Sequence, residues 1–367
     1  MARNSSKIGF WSTDYSQNTG QALVTRRVVD KVLPKLGEVR CYVFFPSGRP
    51  TAIRSWVGSA FRVWRDSAMH QVDTIYLVCS RSNAGFLRDI PALLLSRKGL
   101  RVVVHSHGSD IVSLLNGRLI SPLARWTYRH CELVVPSAHL IPALSGTRLA
   151  ALHVCENFSR VASGKTAHLA HKQGLLILWN SNVMASKGVF DLFEAVRSLK
   201  RRGVTINLKV IGRVLADEEL TKPKAEAFLA EAIADGTIDF LGAVSSEEAT
   251  SLLSASDVVA LPSRYTSELQ PLALIEAMCA GCAIVAADTQ ALRATLGGYP
   301  AEIVAVRSIE DIVNSLDRLV ANKAFDPKAF ASNLSHSAVK AQKRFSVRRF
   351  DQTLANILED TSDRIEQ

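Results

Sequence analysis

Between Ser256 and Asp288 the chain reads SDVVALPSRYTSELQPLALIEAMCAGCAIVAAD. An apolar strand, 258–261, runs into a polar loop, then a helix, then a second apolar strand, 283–287. Pro271 suits the first helical turn, where a missing N–H costs nothing. Gly281 suits the left-handed position just past the helix end. Strands that are apolar at every position belong in a parallel sheet covered on both faces. The helix between them is apolar at Leu272, Ala273, Leu274, Ile275, Ala277, Met278, Cys279 and Ala280, which demands burial on nearly every side. Only Glu276 interrupts it.

A carboxylate in such a helix is costly unless it is hydrogen-bonded or paired. A ligand with two adjacent hydroxyls, such as a ribose, would satisfy it; so would a neighbouring loop that Glu276 caps. A second carboxylate, Glu268, lies eight residues back, placed either for a ligand or for solvent. Helix N-termini attract phosphate through free N–H groups and the helix dipole. Together these features suit a nucleotide sugar: phosphate at the helix end, ribose at Glu276, sugar hydroxyls at Glu268.

The same alternation runs through the chain. Strands are expected at 7–11, 39–45, 74–79, 102–105, 133–135 and 153–155, then at 175–179, 206–211, 238–241, 258–261, 283–287 and 303–306, with helices between most of them. This spacing predicts parallel sheets with right-handed crossovers, and 367 residues suffice for two domains with substantial cores. The polar, basic stretch SRVASGKTAHLAHKQG at 159–174 reads as an interdomain linker. The expected organisation is an N-terminal domain over 1–160, a linker over 161–174 and a second domain over 175–345. A final helix at about 346–367 returns to the first domain.

Several residues follow strands at the edge where open α/β sheets bind ligands. Gly20 follows the first strand. His105-Ser-His107-Gly108-Ser-Asp110 closes the fourth, and His is readily poised for proton or hydrogen-bond work at neutral pH. Asn182 and Lys187 follow the seventh strand, and Val244 the ninth.

Pro-Ser, Glu268, seven residues, Glu276, then Ala-Met-x-Ala-Gly and an apolar strand resembles the signature of the family 4 retaining glycosyltransferases. The resemblance implies a GT-B fold, two Rossmann-like α/β domains whose parallel sheets face a central cleft. It implies donor binding by Lys187 and Asn182 at the diphosphate, with Asn182 standing where Arg is more usual. Glu276 would hold the ribose, Glu268 the donor sugar, and Val244 would meet the base. Gly20, Leu269 and Gln270 are counted with the donor site. His107 would lie near the reacting sugar, with His105 as the alternate, so His107 and Glu268 form the catalytic pair. Phe158 replaces the Gly of an Asn-Gly pair that often closes the first domain.

The net charge of +10 is uneven. Residues 1–158 carry 20 Lys and Arg against 9 Asp and Glu; the remainder carries 24 against 25. A basic first half suggests an anionic partner. The helix expected over 52–68 gathers Trp56, Ala60, Val63 and Trp64 on one side, flanked by Arg54, Arg62 and Arg65. It suits either packing on the sheet or contact with an anionic membrane surface. Nucleic-acid binding is disfavoured by sparse aromatics and the lack of any binding-module motif. Six scattered cysteines argue for free thiols in a reducing cytoplasm. No apolar run near 20 residues could span a bilayer, and no leader precedes the first strand. A cytoplasmic protein, on or off the membrane face, is therefore expected.

The expected activity is retaining hexosyl transfer from a UDP- or GDP-sugar to an acceptor hydroxyl, favouring a lipid-linked saccharide in polysaccharide biosynthesis. No cofactor and no metal are expected, because no acidic pair with metal spacing sits at a strand end. The alternatives are a non-catalytic sugar- or phospholipid-binding protein on the same scaffold, or an NDP-sugar epimerase.

Overall fold

The computed structural model describes residues 6–16, 20–45, 51–117, 120–161 and 174–359. Most of the stretch read as a linker, and the end of the segment expected as the final helix, lie outside these residues.

The chain divides into two compact units, one of residues 1–157 with 347–367 and the other of residues 158–346. Residues 158–160, assigned above to the first domain, and Val161, assigned to the linker, therefore sit with the second. The Ser159 N–H donates to the Phe345 carbonyl at 2.9 Å, and Val161 is buried in the second core.

The first unit holds a six-stranded parallel sheet ordered β2-β1-β3-β4-β5-β6. Its strands are β1 (Ser6–Thr13), β2 (Gly37–Phe44), β3 (Thr74–Val78), β4 (Arg101–His105), β5 (Glu132–Val135) and β6 (Ala151–Val154). The order reverses direction between β1 and β3. Both β3 and β4 are buried at every position, as a sheet covered on both faces requires. The helical segment after β1 opens into a π turn at Val28–Val32, next to Pro34, which has no N–H to return to the preceding turn.

The final helix, Val347–Glu359, packs into this unit with Phe350, Leu354, Ile357 and Leu358 buried. Arg101, at the start of β4, donates to its last carbonyls: 2.5 Å to Ile357 O and 2.7 Å to Leu358 O. The same guanidinium forks onto Glu132 at 2.7 and 2.8 Å. Burial pushes the Glu132 carboxyl up, but the bonds from Arg101 and His153 overcome it and hold it down at about 2.

The second unit holds another six-stranded parallel sheet, ordered β12-β11-β10-β7-β8-β9. Its strands are β7 (Leu175–Asn180), β8 (Ile206–Ile211), β9 (Asp239–Gly242), β10 (Val258–Leu261), β11 (Ala283–Ala287) and β12 (Ala301–Val304). Counted within the unit this is the 3-2-1-4-5-6 order of dinucleotide-binding sheets, reversing between β7 and β10. The helix Leu272–Ala280 is buried as its composition demands, and Gly281 ends it at φ 74°. Pro271 caps that helix rather than entering its first turn. Beneath the sheet, Lys323 and Asp257 form a buried pair at 2.8 Å; the same carboxylate oxygen accepts the Leu176 N–H at 2.8 Å.

The helix Ala52–Ala68 has the expected bounds, but its tryptophans do not face outward. Trp56 and Trp64 donate their indole N–H groups to the Arg88 and Pro91 carbonyls of the helix Asn83–Leu93. The exposed apolar stripe is instead Ile53, Val57 and Phe61, four residues apart, with Arg54, Arg62 and Arg65 beside it. All six cysteines are free, and all but Cys41 are buried. Among the described residues no helix is long and apolar enough to cross a membrane.

Candidate active site

At the carboxyl edge of the second sheet, three loops converge on the point where the strand order reverses. The loop after β7 carries Asn182 and Lys187, that after β8 carries Gly212 and Arg213, and that after β10 carries Pro262 to Gln270. Two glycines permit the approach. Gly188, at φ 80°, would place a Cβ 2.3 Å from the Pro262 carbonyl oxygen. Gly212, at φ 134°, would place one 2.1 Å from the Ser181 carbonyl oxygen. Any larger residue at either position would part the loops.

Within this cluster Lys187 meets Glu268 at 3.2 Å and donates to Ser181 Oγ at 3.0 Å. Both charged side chains are largely buried, at 15% and 13% exposure, so the pair is shielded from salt and solvent. Ser263 Oγ adds a long contact to Glu268 Oε2 at 3.4 Å. Two residues singled out from distant parts of the sequence therefore hold one another.

Glu276 lies next to the end of β7, where Asn180 Nδ2 donates to its Oε2 at 3.2 Å. Burial raises its pKa, partly offset by the charge of Arg160 and the bond from Asn180. Among the described residues Oε1 makes no hydrogen bond. A part-buried carboxylate with one oxygen open suits a ligand that brings hydroxyl donors. Leu269 is 1% exposed and Gln270 is buried, so a ligand beside Leu269 meets its backbone. Val244 packs partly against the core near the end of β9.

Sequence reading missed what pins these loops. Arg264 bonds Asp191 at 2.6 Å and Glu219 at 2.6 Å, and Arg307 reaches Glu219 at 3.0 Å. The Arg264 N–H donates to Ser186 O, and Asp217 accepts the Ser186 N–H. The only local signal was a charge directly after Pro-Ser; its partners lie 45 and 73 residues away.

The first unit presents its own cluster at the carboxyl edge of its sheet. His105 ends β4, its Nδ1 bonded to Tyr76 OH, and its ring lies 4.3 Å from that of His107. Burial, then the neighbouring His107, drives His105 well below the usual His range. Burial, then the charge of Arg81, lowers His107 to about 4. Both rings are thus neutral at pH 7. The Nε2 atoms of both are buried with no partner among the described residues. Arg81 pairs with Asp110 at 2.7 Å, joining the loops after β3 and β4. Behind them Asp89 accepts from Trp11 Nε1 and the Ser80 N–H, each at 3.0 Å, and burial pushes its carboxyl up to about 6. Gly20 opens the helix after β1 and is exposed.

Comparison with known proteins matches this architecture. Residues 165–340 match the family described as glycosyl transferases group 1. Fold and matched segment define the class: a GT-B fold whose second unit is similar, over the matched segment, to the group 1 glycosyl transferases. The chain is 24% identical over 253 residues to the alpha-D-kanosaminyltransferase of Streptomyces kanamyceticus, covering 63% of this chain and 64% of that protein. It thus spans just under two thirds of that relative's length. Among solved structures it resembles sucrose-phosphate synthase from Thermosynechococcus elongatus, with TM-score 0.73, 15% identity, and coverage of 96% and 98% of the two chains. It also resembles Anabaena HepE in complex with UDP-glucose, with TM-score 0.71, 17% identity and the same coverage.

Proposed function

We propose that the protein is a retaining glycosyltransferase that moves a hexosyl group from a UDP- or GDP-sugar to an acceptor hydroxyl. The observation that carries this reading is the convergence of Lys187, Glu268 and Glu276 where the second sheet reverses. There one cation suits a diphosphate, one carboxylate a sugar and one a ribose. A solved structure of similar fold holds UDP-glucose, which supports the donor class.

The barrier in such a transfer lies in breaking the anomeric C–O bond to phosphate. Lys187, loop N–H groups and the amide of Asn182 would stabilise the leaving diphosphate, acting as preorganised donors aimed at developing charge. Glu276 Oε1 would accept from a ribose hydroxyl and Glu268 from the sugar. His107, neutral at pH 7, serves as a hydrogen-bond partner rather than a cation. Gly20, Leu269 and Gln270 contribute backbone, and Val244 an apolar contact to the base. The reading requires no divalent ion, so chelation with EDTA should leave turnover unchanged.

For the acceptor we propose a lipid-linked saccharide of polysaccharide assembly, met at the cytoplasmic membrane face. The stripe of Ile53, Val57 and Phe61 beside three arginines supports this, on a half of the chain that carries the whole positive excess. The decisive experiment is a thermal-shift screen of UDP- and GDP-sugars, followed by assay of NDP release with and without acceptor. Stabilisation by one donor and acceptor-dependent release support the transferase. Release of an epimerised donor without acceptor supports the epimerase, and binding without turnover supports a binding protein.

A further inference from the structure

We infer that Arg213 is a diphosphate-binding residue, supplying the positive charge that position 182 lacks. The inference rests on the donor-site reading above and deepens it.

The charge balance of the three-loop cluster poses the problem. Lys187 is matched by Glu268, and Arg264 and Arg307 are matched by Asp191 and Glu219. Arg160 lies on the side of Glu276, whose carboxyl it pulls down. A doubly charged diphosphate entering beside Lys187 would thus find a cation already neutralised, next to the uncharged Asn182. An amide can donate a hydrogen bond there but cannot offset charge.

Arg213 is placed to do so. Val183 and Val214 form an isolated parallel bridge at the mouth of the site. The Val183 N–H donates to Arg213 O at 2.9 Å, and the Leu215 N–H donates to Val183 O at 3.1 Å. In a parallel rung, paired residues point the same way and their neighbours point the other way. Val183 is fully buried and Val214 packs against the core. Asn182 and Arg213 therefore leave the ribbon together on the outer side, with backbones about 5 Å apart. Gly212 fixes this contact, since its Cα sits against Ser181 O in a backbone conformation that favours glycine. Arg213 is exposed and makes no ion pair among the described residues, so its guanidinium is available and strongly positive.

The test compares UDP and GDP with UMP and GMP by calorimetry on four proteins: wild type, Arg213→Gln, Arg213→Lys, and Arg213→Gln with Asn182→Arg. Arg213→Gln should weaken the preferred diphosphate roughly tenfold, as loss of a charge-assisted contact does. The matching monophosphate should change far less. Arg213→Lys should retain most of the affinity, and the double variant should regain it, because the charge returns one strand away. Equal diphosphate affinity in wild type and Arg213→Gln overturns the inference. A double variant no better than Arg213→Gln overturns the pairing of the two positions. A wild type that binds neither diphosphate removes the donor reading itself, an outcome distinct from both.

Discussion

Lys187 and Glu268 hold each other at 3.2 Å in the largely buried interior of the second unit's loop cluster. A diphosphate that takes Lys187 must displace Glu268, and the freed carboxylate is then available to sugar hydroxyls. On the proposed donor reading, binding of the phosphate and reading of the sugar would be coupled through one contact. Glu268→Gln should therefore bind UDP or GDP as well as wild type or better. Its transfer rate should nonetheless fall by about two orders of magnitude. Calorimetry beside an NDP-release assay checks both halves; parallel losses would uncouple the two residues.

Glu276→Ala should cost at least about tenfold in nucleotide affinity if, as proposed, it removes the acceptor for ribose hydroxyls. Its raised pKa adds a pH signature. As pH falls the carboxyl is protonated earlier than an ordinary glutamate, so wild-type affinity should decline on acidification, and Glu276→Gln should flatten that decline. Titrations between pH 5 and 8 supply the measurement.

His107 makes a stability prediction whose sign is fixed by its lowered pKa. Between about pH 6.5 and 4 the unfolded chain binds a proton that the folded ring refuses. Its contribution is full above 6.5 and declines as pH falls to about 4. His107→Asn should remove up to about 3 kcal/mol of that pH dependence. Denaturant midpoints across the window, wild type against variant, decide it. The same variant should bind nucleotide normally and transfer poorly.

Removing one partner of the buried pair beneath the second sheet leaves Asp257 charged and uncompensated. Lys323→Met should cost about 3–5 kcal/mol, and adding Asp257→Asn should recover a substantial part, with the amide charge-free. Urea unfolding of the three proteins tests this.

Replacing Ile53, Val57 and Phe61 with serine should release the protein from vesicles rich in anionic lipid and leave its thermal stability nearly unchanged. Trp56→Ala should instead lower stability, because its indole is committed to the Arg88 carbonyl. Unchanged sedimentation with vesicles in the triple variant would remove the membrane from the reading.

What could be read from the sequence was local. The helix over 52–68, the strands flanking Glu276 and the turn at Gly281 each follow from apolar periodicity and a single residue's backbone preference. The face that helix turns outward could not be read so. Two tryptophans at helical spacing look alike whether they seek lipid or a partner helix, and the carbonyls that capture them lie some thirty residues on. The loop cluster shows the same divide. Lys187, Glu268 and Glu276 stand out for their own chemistry, whereas Arg264 matters only through partners that folding brings beside it.

The return of the last helix to the first unit has a consequence for dissection of the chain. Residues 158–346 are continuous and could be expressed alone; residues 1–157 could not be, on equal terms. A stop codon near 346 would strip two carbonyls from the Arg101 guanidinium, some 250 positions upstream, and leave it only its fork onto Glu132. Damage at the tail would thus surface as instability at the head, while the second unit stayed whole.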